Sequence, residues 1–164
     1  MSRTAERLAE LGIVLPKPAA PVANYVPAVR TTGAALGALP QLWISGQLPL
    51  GRDGTLAEAM KGKLGPGASV EAAREAARLC AINLLAQALA ALGDLDKIVQ
   101  TVRLGGYFNV SGAFDPLPQA MNGASDLMVE VLGARGRHAR TTVGVAHLPL
   151  NALAEVEAVF EVAP

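Results

Sequence analysis

Two residues of the stretch GRHARTTVGVAHLPLNALAEVEAVFEV, numbers 136–162, can do chemistry on a small acid. Arg140 heads the first of two strand-like runs and Glu155 lies inside the second, with a Leu-Pro turn between them. A guanidinium presents a rigid fork of donors that matches a carboxylate, each charge-assisted hydrogen bond contributing about 1.5–3 kcal/mol. A glutamate on a strand whose other face is apolar can take a proton from water or hold the water oriented. If the two runs are neighbouring strands, they bring Arg140 and Glu155 together as a site for small carboxylate-bearing molecules. The same spacing also fits a plain ion pair of Arg140 with Glu155 or Glu157 along a strand edge, and spacing alone leaves both open.

Other chemistries find little support. The two histidines, His138 and His147, have no cysteine beside them, so neither the ligand number nor the spacing of a zinc site is met and no metal is expected. No GxxxxGK[ST] or GxGxxG string leads from a strand into a helix, and no nucleotide or other cofactor is expected. Ser45 and the other serines lack the context of a nucleophile elbow.

Composition narrows the class further. Fourteen basic residues balance fourteen acidic ones, and Trp43 is accompanied by only three Phe and two Tyr, so neither a basic field nor stacking platforms recommend nucleic acid as a partner. No run of 18 apolar residues and no secretory-type start is present, and Cys80, the single cysteine, reads as a small core hydrophobe. The expectation is a cytoplasmic protein without a membrane partner. With half the residues hydrophobic and 17% charged, apolar surface remains for another copy to cover.

The elements that must position Arg140 and Glu155 are legible in local pattern. Residues 2–11 suit a short amphipathic helix that LPKPAAP stops, which makes 1–21 an N-terminal arm before a domain over 22–164. YVPAVRTTG and QLWISGQLPL read as a hairpin around the Gly/Ala-rich stretch 33–38, and the glycine-rich residues 51–68 as a surface loop. Ser69 caps a long helix that ends at Gly93. Residues 98–110 alternate as a half-buried strand, with Ile98, Val102, Leu104, Phe108 and Val110 on one side and Thr101, Arg103, Tyr107 and Asn109 on the other. Met121, Ala124, Met128, Val131 and Leu132 stripe a second helix ending at Gly133. In the last strand Ala154, Val156, Ala158, Phe160 and Val162 face one way, Glu155, Glu157 and Glu161 the other. The order β-β-α-β-α-β-β indicates an α+β domain with two helices on one face of a mixed sheet.

At these same residues the sequence resembles the Rid family, the YjgF-type reactive intermediate deaminases. The resemblance lies in ARTTVGVAHLP followed by AEVEAVFEV, in NYVPAV and WISGQLPL, in ALGDLDKIVQ, and in LGGYFNVSGAFDPLPQAMNGASDLMVEVLG; it covers roughly residues 22–163. It implies a homotrimer of chorismate-mutase-like subunits with clefts between them, and cofactor-free hydrolysis of 2-imino acids, formed from enamines, to 2-keto acids and ammonia. Carried onto this chain, it implies that Arg140 holds the substrate carboxylate and Glu155 handles water. It further implies that Tyr25, Ser45, Gly46 and Asn122 line the cleft and that backbone donors near Thr142 help to fix the carboxylate. Thr142 stands where many members have cysteine and His147 where they have a basic residue, and the arm and the 51–68 stretch are extra, which marks a longer subgroup. Alternatives from other classes are a non-catalytic trimeric module that binds small carboxylates and, from an older family label, an endoribonuclease.

Overall fold

The computed structural model describes residues 2–32, 38–65 and 69–164. Most of the Gly/Ala-rich stretch between the first strands, and residues 66–68 of the long loop, lie outside the described residues. The chain runs α1 (Arg3–Glu10), β1 (Ala28–Arg30), β2 (Gln41–Gln47), α2 (Val70–Leu92), β3 (Ile98–Asn109), α3 (Leu117–Leu132), β4 (Ala139–Val145) and β5 (Ala154–Val162). The expected order of strands and the two long helices is present, joined by the short N-terminal helix.

Local chemistry sets the helix limits. Ser69 Oγ accepts from Ala72 N at 3.2 Å at the start of α2, and Gly93 ends it with φ 74, a left-handed conformation that costs glycine little. By length and composition α2 is apolar enough to cross a membrane, yet 61% of its apolar window is buried inside the fold, as befits a core helix. Ala73, Ala77, Ala81, Leu84 and Leu85 pack it into the core with Met121, Leu127 and Met128 of α3.

The five strands form one mixed sheet in the order β1-β2-β5-β3-β4. Only β3 and β4 run parallel, which the α3 crossover between them requires. Leu42, Ile44, Leu104, Phe108, Val156 and Phe160 line the face covered by the helices. Among the described residues the other face carries no helix; Val29, Trp43 and Val143 remain exposed there.

The sheet departs from simple alternation at three bulges. On β3, Ile98 pairs with Val162 but Gln100 with Glu161, and Thr101 pairs with Phe160 but Arg103 with Val159, so twice two steps on β3 meet one on β5. Each extra residue reverses the facing of the residues after it. Thr101, which strict alternation puts opposite the core residues, is instead 1% exposed and inside the core, and among the described residues its hydroxyl has no hydrogen-bond partner.

The N-terminal segment is seated on the domain. Asp96 accepts from the backbone N–H of Arg3 (2.8 Å) and Thr4 (3.1 Å) and from the Thr4 hydroxyl (2.5 Å), serving as an anionic cap for α1. Arg135 bridges to Thr4 Oγ1 at 3.0 Å and to Asp96 at 3.5 Å. Further along, the Ala19 carbonyl accepts from Gln87 of α2.

Candidate functional site

Arg140 lies on β4, the edge strand, where its register partner is Leu104, a residue of the helix-covered face. Its side chain accordingly reaches α3. Nη1 donates to Asn122 Oδ1 at 2.8 Å and to Ser125 Oγ at 3.0 Å, and Nη2 donates to the Pro118 carbonyl at 3.1 Å. Asn122 and Ser125 are three apart on one helix face, and Pro118 is one turn earlier. All three acceptors are neutral, and no carboxylate among the described residues forms a salt bridge with Arg140. The ion-pair reading of the sequence therefore fails within the chain: Glu157 is taken by Arg103 at 3.1 Å. The guanidinium is exposed and keeps Nε–H and one N–H of Nη2 without a partner among the described residues, enough to receive a carboxylate.

Glu155 is elsewhere. The expectation that its strand neighbours that of Arg140 is overturned by the sheet order, since β3 lies between β4 and β5. The faces differ as well. Glu155 is paired with Tyr107, whose hydroxyl donates to Glu157 on the helix-free side at 3.3 Å. A side chain at Gly106, the preceding residue of β3, would instead meet Met121 of α3. Glu155 is half-buried and without a hydrogen-bond donor among the described residues; burial first, then the neighbouring Glu157 carboxylate, push its pKa up.

The remaining residues divide between these two places. Thr142 shares the helix-covered side of β4 with Arg140, as its register partner Gly106 shows. Gly46 lies against Glu155: a Cβ there would sit 1.9 Å from Oε1, so only glycine leaves room for the carboxylate. It belongs to the bulge in β2, where the three steps from Ile44 to Gln47 meet two on β5, Ala158 to Val156. Ser45, in the same bulge, donates through Oγ to the Val26 carbonyl at 2.9 Å, and its N–H donates to Pro27 O at 3.0 Å, which ties down the segment bearing the exposed Tyr25. One copy thus brings together Arg140, Asn122 and Thr142, and separately Glu155, Gly46, Ser45 and the Tyr25 segment.

Sequence reasoning missed Ser125 and His138. His138 Nε2 lies 3.0 Å from Ser125 Oγ, and Nδ1 lies 2.6 Å from the Gly136 carbonyl. Only part of a signal existed: Asn122 and Ser125 share a helix face, whereas His138 lies just before β4 and meets Ser125 through the placing of α3 against the sheet edge.

Comparison with known proteins bears on the fold that carries these residues. The family described as "YjgF/chorismate mutase-like, putative endoribonuclease" matches residues 5–162. Protein TCP17 of Trypanosoma cruzi is 44% identical over 160 residues, covering 97% of this chain and 94% of that protein. The crystal structure of Atu1372 from Agrobacterium tumefaciens is 42% identical, with TM-score 0.83, and covers 98% of this chain and 94% of that one. TdcF of E. coli, solved with bound serine, shares the fold at 20% identity and TM-score 0.60, covering 90% of this chain and 94% of that one.

Proposed function

Since this chain belongs to the YjgF/chorismate-mutase-like, or Rid, family, we propose that it hydrolyses 2-imino acids, the tautomers of reactive enamines, to 2-keto acids and ammonia. The observation that carries this reading is the guanidinium of Arg140, held on three neutral oxygens and, among the described residues, without a carboxylate of its own.

In the proposed reaction the substrate carboxylate docks on the open donors of Arg140, which places the adjacent imine carbon at a fixed distance from the anchor. Water adds to that carbon of the protonated imine while a base accepts one water proton, giving the neutral carbinolamine. The base returns that proton to the amine nitrogen and then accepts the hydroxyl proton as the carbinolamine collapses: the C–N bond breaks, the oxygen becomes that of the ketone, and nitrogen leaves as ammonia. An imine carbon is already electrophilic, so alignment and charge complementarity supply most of what the step needs, and the reading calls on neither a covalent nucleophile nor a metal. Glu155 is the base in this reading, its raised pKa favouring proton uptake from water.

Arg140 and Glu155 of one copy face opposite sides of the sheet, so this reading needs Glu155 of a second copy at each Arg140. A homotrimer with clefts between subunits meets that need. The helix-free face, with exposed Val29, Trp43 and Val143, supports such packing.

A second reading, a module that binds small carboxylates without turnover, is favoured by the separation of Glu155 from Arg140 on opposite faces of one copy. RNA cleavage is disfavoured by the neutral composition and sparse aromatics. The deciding experiment couples a threonine or serine dehydratase to the purified protein. Faster keto-acid appearance, lost in Arg140→Ala, supports the deaminase; a melting-temperature shift with 2-ketobutyrate but no acceleration supports the binder and sinks the deaminase.

A further inference from the structure

Behind Arg140 runs a chain of hydrogen bonds whose direction is determined by chemistry. Ser125 Oγ lies 3.0 Å from Arg140 Nη1 and 3.0 Å from His138 Nε2, while His138 Nδ1 lies 2.6 Å from the carbonyl of Gly136. Arginine can only donate, so Ser125 Oγ accepts from it. A carbonyl can only accept, so Nδ1 carries a hydrogen. In a neutral imidazole Nε2 is then the acceptor, and it takes the remaining serine hydrogen. Each link, from Arg140 Nη1 to Ser125 Oγ, from Ser125 Oγ to His138 Nε2 and from His138 Nδ1 to the Gly136 carbonyl, thus joins one donor to one acceptor.

We propose that Ser125 and His138 are positioning residues of the anion site: neutral His138 turns the Ser125 hydroxyl so that its lone pair holds the Arg140 guanidinium still for an incoming carboxylate. This rests on reading Arg140 as a carboxylate anchor. A protonated imidazole would break the series, because both its nitrogens donate, so Ser125 would face two cationic donors and its own hydrogen would have to turn away from His138. The surroundings favour the neutral form. Burial foremost, with the positive charge of Arg140 added, lowers the His138 pKa against the opposing hydrogen bond to Gly136.

The other charged groups of the packed elements are engaged away from His138. Asp126 and Glu130 of α3 pair with Arg74 and Arg78 of α2. Arg103 of β3 pairs with Glu157 on the opposite face, and Arg135 binds Asp96 and the Ile98 carbonyl. Arg137, the adjoining residue, is exposed. Arg140 is thus the charged group that senses the state of His138. A side chain already immobile has less freedom to lose on binding, which gives the relay a consequence for affinity.

Nitrogen-15 relaxation of the Arg140 Nε–H in the full chain tests this without any ligand. Expected at pH 8 is an ordered Nε–H in the wild type, loosened in Ser125→Ala and in His138→Phe and no looser when both are combined. Ser125→Thr, which keeps a hydroxyl, and His138→Gln, which keeps an acceptor but does not titrate, retain the order. Acidification loosens the wild type but not His138→Gln. In the loosened variants the Kd for 2-ketobutyrate rises roughly three- to tenfold. An Arg140 that stays equally ordered in Ser125→Ala and His138→Phe, in proteins with otherwise native spectra, overturns the proposal. If Arg140 loosens as expected while 2-ketobutyrate binds no form of the protein, positioning stands and the carboxylate-anchor reading falls.

Discussion

Arg140 and Glu155 point to opposite faces of one sheet, with β3 lying between the strands that carry them. A single copy cannot close a site around both. This converts a question about residues into one about assembly, and it gives the deaminase proposal a sharp test.

Arg140→Ala and Glu155→Gln are each expected to be inactive alone and to complement each other when mixed. After unfolding and refolding an equimolar mixture, random assembly places an intact Arg140 next to an intact Glu155 at about a quarter of the interfaces, so about a quarter of wild-type turnover should return. Turnover that stays at the level of the separate variants would show that each site draws both residues from one chain.

Glu155 carries a cost to stability that function would explain. Its pKa is raised on folding, so its folded state favours the protonated form, and stability relative to a neutral side chain declines as pH rises through the folded pKa. Glu155→Gln is therefore expected to melt higher than wild type at pH 8, by a few degrees at most, with the difference shrinking as pH falls below about 4. Equal melting temperatures at both pH values would contradict this.

Thr101 buries a hydroxyl that finds no partner among the described residues. Thr101→Val keeps the branched shape and removes the unsatisfied group, and about 1 kcal/mol of added stability is expected in urea unfolding with an unchanged m-value. A destabilised variant would mean that the hydroxyl is satisfied after all.

Asp96 fastens the N-terminal helix. Hydrogen bonds from Thr4 foremost, then backbone N–H groups and the charge of Arg135, hold its carboxyl below the usual range against the opposing effect of burial. A depressed pKa stabilises the fold above the unfolded value and ceases to do so as pH falls through the folded one. Asp96→Asn should cost about 2 kcal/mol at pH 7 and expose α1 to proteolysis, and the deficit should close below about pH 4. A variant as protease-resistant as wild type would show that α1 is held by its apolar contacts alone.

The sequence by itself determined the elements and most of their faces. The Ser69 cap, the Gly93 stop and the alternation of Ala154 through Val162 are local signals, because the groups that satisfy one another are close along the chain. It also marked Arg140, through a motif that carries the family. Only the tertiary structure decided what surrounds that residue. Alternation states which side of its own strand a residue takes but not which strands pair, and the β3–α3–β4 crossover inserts β3 between β4 and β5. The bulges that turn Thr101 inward, and the meeting of Ser125 with His138 and Arg140, arise from register and from the placing of α3 against the sheet edge. These are contacts between distant segments, and no local periodicity encodes them.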